Sequence, residues 1–217
     1  MNLAPLNFTK ISVGLYRNTG APPIAPATQG ELLRELHRDY PSLTQIPSGV
    51  LFADPAKGRA LLIDQTRVEA SENSLHVPSS AIEAMQSDLQ RTVPIVDYAP
   101  PYRVRVEGAG TIQALEGVDP AEVLRTCAPP DPGWNEIGGK CTHVCVRFLF
   151  TSAEGIQRDA HVEPLFAQQD KFYVMIVSFM AAPGAATLTV AFEQARDEVA
   201  IIGRLGNRIV ADIVDRS

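Results

Sequence analysis

The sequence lacks the features that mark several large classes of protein. Aromatic residues make up 6% of its 217 residues, with one tryptophan among them. No stretch approaches the roughly 18 consecutive apolar residues that a membrane-spanning helix needs. Lysine and arginine number 19 against 25 aspartates and glutamates, and the net charge is −6. This acidic balance argues against nucleic-acid binding, which requires a surplus of cations to displace the counterions of phosphate.

Cysteine is scarce, and its pattern does not suggest a disulfide framework. The three residues Cys127, Cys141 and Cys145 cannot all pair within one chain, so we expect reduced thiols. The N-terminus has no basic region followed by an apolar run, which predicts no secretory signal and a cytoplasmic location. With 45% hydrophobic and 20% charged residues, the chain has the composition of a soluble globular protein that buries a core.

Motifs of several enzyme classes are also missing from the sequence. We find no Gly-x-Ser-x-Gly nucleophile motif and no phosphate-binding loop. Gly108-Ala109-Gly110 follows a predicted strand, but the third glycine of a dinucleotide fingerprint is replaced by Gln113 and no helix begins there. We therefore expect no cofactor.

The sequence does contain one order of elements that occurs twice. A strand, a capped helix, a block of hairpin-like strands and a second capped helix fill roughly residues 5–95, and a longer version fills roughly 98–217. This order predicts an α+β fold in which helices cover an antiparallel sheet. We expect two pseudo-repeated β-α-β-β-α halves, 1–95 and 96–217, within one compact body.

Alternating residues and capping boxes define the first half. Thr28 and Ser80 are the predicted N-caps of its two helices, because each precedes a glutamate by three residues. Pro41 and Pro94 are expected to end those helices. Residues 18–27 read as a loop, and strands are predicted at 8–17, around 50–52 and, as one long strand, at 59–70.

The second half contains the clearest helix start. Asp119 is a predicted N-cap, and Pro120 suits the first helical position. A long C-terminal helix is predicted at 187–214, where Gly203 and Gly206 indicate a kink, a close helix contact or a break into two helices. Strands are predicted at 102–106 and, as a meander, at 141–151, 156–166 and 171–180.

Three short motifs carry a family resemblance. They are Val13-Gly14-Leu15-Tyr16, Asp39-Tyr40-Pro41 and Tyr98-Ala99-Pro100-Pro101-Tyr102-Arg103-Val104. In this order they resemble a sporadically distributed prokaryotic protein family with no assigned activity. The resemblance spans most of the chain, implies the same architecture and carries no catalytic residues over.

One cluster has the composition of a metal site. Cys141, His143 and Cys145 alternate, and in a strand the two cysteines lie about 13 Å apart at Cα, too far to bind one zinc ion together. The three residues could ligate a metal only if they formed a loop. Because apolar residues alternate through Phe150, we predict a strand and no metal.

The meander offers weak candidates for a catalytic or ligand-binding site. If two of its strands pair with their polar faces aligned, their side chains come within hydrogen-bonding reach and allow acid–base pairing. The alternative interpretation is a solvated sheet face. The candidates are His143 and Arg147 on one strand and Asp159, His161 and Glu163 on the next.

These observations favour binding over catalysis. Trp134 lies in a Pro/Gly-rich loop, where it either pins the loop to the body or contacts a partner. A long apolar helix stripe often completes its burial across a dimer interface. We expect a non-enzymatic interaction or assembly module that forms a homo-oligomer or binds another protein, without a membrane or nucleic-acid partner. The alternative is a small-molecule-binding protein or enzyme that uses the polar face around 141–163.

Overall fold

A computed structural model of the protein describes residues 3–16, 23–73, 78–127 and 143–216, apart from the side chains of 181–183. Within these ranges the chain forms nine strands and four helices. The strands are β1 (Asn7–Tyr16), β2 (Ser42–Ile46), β3 (Gly49–Asp54), β4 (Arg59–Asp64), β5 (Arg67–Asn73), β6 (Tyr102–Gln113), β7 (Val146–Thr151), β8 (Gln157–Pro164) and β9 (Lys171–Ala185). The helices are α1 (Pro26–Leu36), α2 (Pro78–Ile95), α3 (Pro120–Cys127) and α4 (Leu188–Asp215).

All nine strands belong to one antiparallel sheet with the order β2-β3-β4-β5-β1-β6-β9-β8-β7. The first strand of each predicted half lies at the centre, where β1 pairs with β6 and Val13 is opposite Val106. The sheet therefore continues across the expected boundary between residues 95 and 96. The α+β class with a mainly antiparallel sheet is confirmed.

The helices pack on one face of the sheet, because alternate residues of the central strands are apolar on that side. α2 packs on β5 and β1, α4 packs on β6 and β9, and the two helices contact each other. α3 packs on β8 and α4, and α1 on α2. Fully buried strand residues on this side include Ile11, Leu15, Val104, Val174 and Ile176.

The opposite face of the sheet carries no helix in the described part of the chain. Its side chains are those that alternate with the core residues, and most are half-buried, not fully exposed. One row across the sheet consists of Ser12, Glu107, Val177 and Asp159, which are opposite one another on neighbouring strands. We call this side the open face.

The prediction of one long strand at 59–70 is wrong, because a tight turn divides it into β4 and β5. The carboxylate of Asp64 makes the turn by accepting hydrogen bonds from the backbone N–H groups of Thr66 at 2.7 Å and Arg67 at 3.0 Å. An aspartate that caps its own backbone in this way reverses the chain without glycine or proline. The short strand β2 was not predicted either.

Both helices of the first half begin earlier than their predicted N-caps. α1 starts at Pro26 and α2 at Pro78, so Thr28 and Ser80 lie inside the first turn. Proline suits these positions, because its fixed φ is helical and a first-turn N–H has no partner to lose. α2 also continues through Pro94 to Ile95. By contrast, α3 begins at Pro120 as predicted, and Asp119 accepts a hydrogen bond from the N–H of Ala121.

The C-terminal segment is one continuous helix, which rules out two helices, one of the three alternatives that Gly203 and Gly206 left open. Gly206 instead lets α4 approach β9, because a Cβ there would lie 3.3 Å from Val174. The apolar stripe of α4, including Phe192 and Ile202, is buried within its own chain. The stripe therefore does not provide the dimer interface that its length suggested. No helix in the described ranges is long and apolar enough to cross a membrane.

Candidate functional site

A closed network of charges occupies the centre of the open face. Glu107 accepts hydrogen bonds from Lys10 at 2.6 Å and Arg105 at 2.7 Å. Glu69 accepts one from the hydroxyl of Tyr16 at 2.8 Å, and Arg67 donates to that same hydroxyl at 3.1 Å. Arg67 also pairs with the turn residue Asp64. The three cations thus match three carboxylates, and a further cation, Arg103, lies opposite Tyr16 on the same face without an ion pair in the described part of the chain.

The surroundings of Glu107 keep it ionised. Burial alone would raise the pKa of its carboxyl, but the hydrogen bonds from Lys10 and Arg105 outweigh burial and lower it below 4.5. Burial raises the pKa of Tyr16, with a further contribution from Glu69. A carboxylate and a phenol held in their ordinary charge states do not form an acid–base pair near neutral pH. The hydrogen bonds of the network connect side chains of β1, β5 and β6.

The predicted polar face of the meander forms in part. β7 pairs with β8 so that Arg147 is opposite His161 and Leu149 is opposite Asp159. Asp159 accepts two hydrogen bonds from Arg147, at 2.8 Å from Nε and 2.6 Å from Nη2. Its Oδ1 also lies 3.1 Å from Nε2 of His161. Three of the five candidates are therefore brought together.

The other two candidates do not join this group. His143 precedes β7 and packs its ring against Phe166, with ring centroids 4.4 Å apart. Glu163 is on the same face of β8 as Asp159, further along the strand and opposite Tyr173. Trp134 and Cys141 lie outside the described residues, and Cys145 is exposed just before β7. The described residues contain no cluster of three or more potential metal ligands.

The geometry of the Arg147–Asp159–His161 group is that of a surface ion-pair chain. The bidentate arginine lowers the pKa of Asp159, so this carboxyl holds no proton to donate near neutral pH. The side chain of Arg147 is 58% exposed. The group can orient the imidazole of His161 on the sheet surface, but the described cavities are lined by other residues.

The outer edge of β7 is the most unusual surface of the sheet. No described strand pairs with this edge, since β7 is the last strand in the sheet order. Its sequence, Val146 to Thr151, is mostly apolar, and Leu149 on the open face is 73% exposed. On the helix side, Phe148 and Phe150 stack on each other and are only partly buried.

Comparison with models of known protein families and with curated proteins gives no match. Functional inference for this chain therefore rests on its own geometry. The β7 edge was missed by sequence reasoning, although its apolar alternation was visible. The missing information was the order of strands in the sheet, which places β7 at an edge and not between two neighbours.

Two buried ion pairs on the helix side were also not predicted. Arg158 on β8 donates to Glu198 of α4, which also accepts a hydrogen bond from Ser178 at 2.7 Å. In the first half, Arg59 on β4 donates to Asp88 of α2. Tyr40 donates to Asp88 as well, and burial is the main cause that raises the pKa of this phenol. These pairs fix α4 and α2 to the sheet, with both carboxylates 2% exposed and the side chains of Arg59 and Arg158 19% and 11% exposed.

Proposed function

We propose that this protein is a non-enzymatic assembly module that self-associates through the outer edge of β7. The observation that carries the proposal is an apolar edge strand, β7, with which no described strand pairs. Such an edge exposes a row of backbone N–H and C=O groups beside apolar side chains, and proteins normally cover or blunt it to avoid aggregation. The described edge of β7 instead presents apolar side chains to solvent: Leu149 is exposed, and Phe148 and Phe150 are half-buried.

The other edge of the same sheet provides an internal comparison. β2 has five residues, Ser42–Ile46, three of which are Ser, Thr or Gln, and it lies between Pro41 and Pro47. Short length, polar side chains and flanking prolines are the usual means of protecting an edge. The described residues that flank β7 include no proline, and Arg147 is its single charged residue, so β7 is favoured as the edge that pairs with a partner.

A second copy of the chain fits this edge by symmetry. Two β7 strands can pair antiparallel about a two-fold axis that is perpendicular to the sheet and passes between the two copies of Phe148, since opposed residues then point to the same face. Phe148 would face its counterpart, and Arg147 of one copy would be opposite Leu149 of the other. The pairing satisfies the free backbone groups of both copies and closes the assembly as a dimer.

The association is expected to be reversible. An edge of six residues buries less surface than a standard protein interface, so we expect a micromolar dissociation constant. Sedimentation velocity over a range of micromolar concentrations tests this directly. The account predicts a shift from the 23.5 kDa chain to twice that mass as concentration rises. A monomer at every concentration would reject self-association and leave a different protein as the strand donor.

Two lysine substitutions locate the interface. Leu149→Lys places a charge on the β7 edge and should abolish the dimer, because lysine on an edge strand opposes pairing. Leu43→Lys is the matched control, since Leu43 is 43% exposed on the β2 edge. It should leave the dimer intact. If Leu43→Lys dissociates the dimer and Leu149→Lys does not, the proposal has assigned the wrong edge.

The Arg147–Asp159–His161 group beside this edge supports an enzyme function less well than it supports an interface. Arg147 is largely exposed, and the carboxylate of Asp159 is already contacted by both Arg147 and His161. These side chains suit the rim of an interface, where charged pairs fix register more than they add affinity.

The same proposal includes an internal duplication of the fold. Each half begins with a central strand, continues through a helix and an antiparallel meander, and ends in a long helix that returns to the sheet. Support comes from the pairing of β1 with β6 at the centre and from the buried arginine–carboxylate pair between meander and final helix in each half. A dimer through β7 would extend a sheet that is already built from two related units.

A further inference from the structure

A groove of about 480 Å³ lies on the helix side of the molecule, far in sequence from the β7 edge. α2 contributes its first turn, α4 its middle, and the residues that precede and begin β1 close the third side. The floor is apolar: Leu6, Ile82 and Val199 line it and are each at least nine-tenths buried. Its volume falls in the range of small-molecule binding sites.

The rim of the groove is cationic. Arg196 and Arg204 both line it, two helical turns apart on α4, and no aspartate or glutamate is among the described lining residues. Arg196 is held by a hydrogen bond to Gln86 at 3.0 Å. Arg204 makes no ion pair or hydrogen bond within the described part of the chain. α2 also begins here, and the positive end of its dipole adds to the same potential.

The wall contains a polar atom that the described chain does not satisfy. Oδ1 of Asn207 is buried and has no hydrogen-bond partner among the described residues. Asn207 lies one turn beyond Arg204 on the same helix face. A buried oxygen of this kind normally bonds to an ordered water or a ligand. Because an amide oxygen only accepts hydrogen bonds, it needs a donor from outside the described residues and does not itself favour an anion.

Gly203 keeps the groove open at a cost to the helix. An added Cβ would lie 3.6 Å from the ring of Phe8, an ordinary contact, so packing within the chain does not require a glycine. In the middle of a helix, glycine is disfavoured relative to alanine. The small residues Ala200 and Gly203 together leave space along the groove between the two arginines.

We infer that this groove binds a free amphipathic carboxylate, a single apolar chain that ends in one anionic group. The apolar chain lies on Ile82 and Val199, and the carboxylate accepts hydrogen bonds from Arg204 at the rim. A groove with an apolar floor, two cations and no carboxylate among its described lining residues complements this ligand and rejects a cation of the same shape. The inference does not depend on self-association through β7.

Isothermal titration calorimetry of the full chain tests the inference with dodecanoate as the probe. Dodecyltrimethylammonium, with the same chain length and the opposite charge, is the matched ligand. Dodecanoate should bind with one site per chain and at least tenfold more tightly than the cation. Equal binding of the two, or no saturable binding of dodecanoate, would overturn the inference.

Three variants place the ligand. Ala200→Trp fills the groove from an exposed position and should abolish binding. Arg204→Gln should weaken it three- to tenfold, whereas Arg208→Gln, the matched control on the same helix outside the groove, should leave it unchanged. Binding that survives Ala200→Trp would place dodecanoate elsewhere and contradict the proposal. A second result would also contradict the proposal. If the protein binds anionic phosphatidylglycerol vesicles through Arg204 but does not bind free dodecanoate, the ligand is a membrane lipid.

Discussion

Asp88 and Glu198 occupy the same position in two different helices. Each lies ten residues after the first residue of its helix, α2 or α4, and each is 2% exposed. Each accepts a hydrogen bond from an arginine on the strand two places from the central strand of its half, Arg59 on β4 or Arg158 on β8. The two carboxylates thus share their position in the helix, their burial and an arginine partner on the corresponding strand. This correspondence supports the proposed duplication and shows how both long helices are fixed to the sheet.

Removing the carboxylate from the second pair should be strongly destabilising. Glu198→Ala leaves the guanidinium of Arg158 and the hydroxyl of Ser178 without their acceptor on the helix side of the sheet. Breaking a buried ion pair in this way costs about 3–5 kcal/mol of unfolding free energy. Urea denaturation followed by circular dichroism measures the loss.

The control for this variant lies on the same helix. Asp212→Ala removes the partner of Arg208 from an exposed pair, which should cost no more than about 1 kcal/mol. The double variant Arg158→Met/Glu198→Leu should lose less than Glu198→Ala alone, because no unpaired charge is left buried. Equal losses for Glu198→Ala and Asp212→Ala would mean that the buried pair does not hold α4.

Glu107 should make the stability of the protein depend on pH in acid. Its pKa is lowered in the folded state, so the unfolded chain binds a proton more readily than the folded chain does. The resulting stabilisation is complete above pH 4.5, the ordinary value of the carboxyl, and is lost as pH falls through the lower folded pKa. Unfolding free energies measured between neutral pH and acid should therefore decline less steeply for Glu107→Gln than for the parent chain.

Glu163→Gln is the comparison for this measurement, because Glu163 is on the same open face without an ion pair among the described contacts. Its pH profile should match that of the parent chain. A profile for Glu107→Gln as steep as the parent's would show that the Lys10 and Arg105 contacts do not stabilise the ionised carboxylate.

Two glycine-to-alanine substitutions should have opposite effects. Gly203→Ala adds a Cβ with 3.6 Å of clearance and removes a glycine from a helix interior, so it should raise the unfolding free energy by about 0.5–1 kcal/mol. Gly108→Ala places a Cβ 2.8 Å from Ile202 and from the ring of Phe8, which should lower it by about 1–3 kcal/mol. Thermal unfolding of both variants under the same conditions is the test. A stabilised Gly108→Ala would refute the close approach of α4 to β6.

Much of the fold could be predicted from the sequence where the signal is local. The Asp119–Pro120 start of α3, the meander of the second half and the long C-terminal helix follow from caps and alternation. The turn at Asp64 was missed because it contains neither glycine nor proline and is flanked by β-forming residues on both sides. The sequence feature that indicates this turn is Asp64, which lies two residues before Thr66 and accepts a hydrogen bond from its backbone N–H.

The candidate sites depend on information that is not local. The sequence allowed Arg147 to approach Asp159 if their two strands paired with polar faces aligned, and the two side chains do form a hydrogen bond. Arg158 and Glu198 are 40 residues apart, on a strand and a helix whose contact depends on the whole sheet. In the same way, the identity of β7 as an edge depends on β1 pairing with β6, which no neighbouring residue indicates.

Hydrogen exchange measured by mass spectrometry at several protein concentrations tests the central claim most directly. Amides of Val146–Thr151 in β7 should become more protected as the concentration rises, because their free edge pairs with a second copy. Amides of Ser42–Ile46 in β2 should exchange at a constant rate. Protection of β2 in place of β7, or no change in either strand, would contradict assembly through the β7 edge.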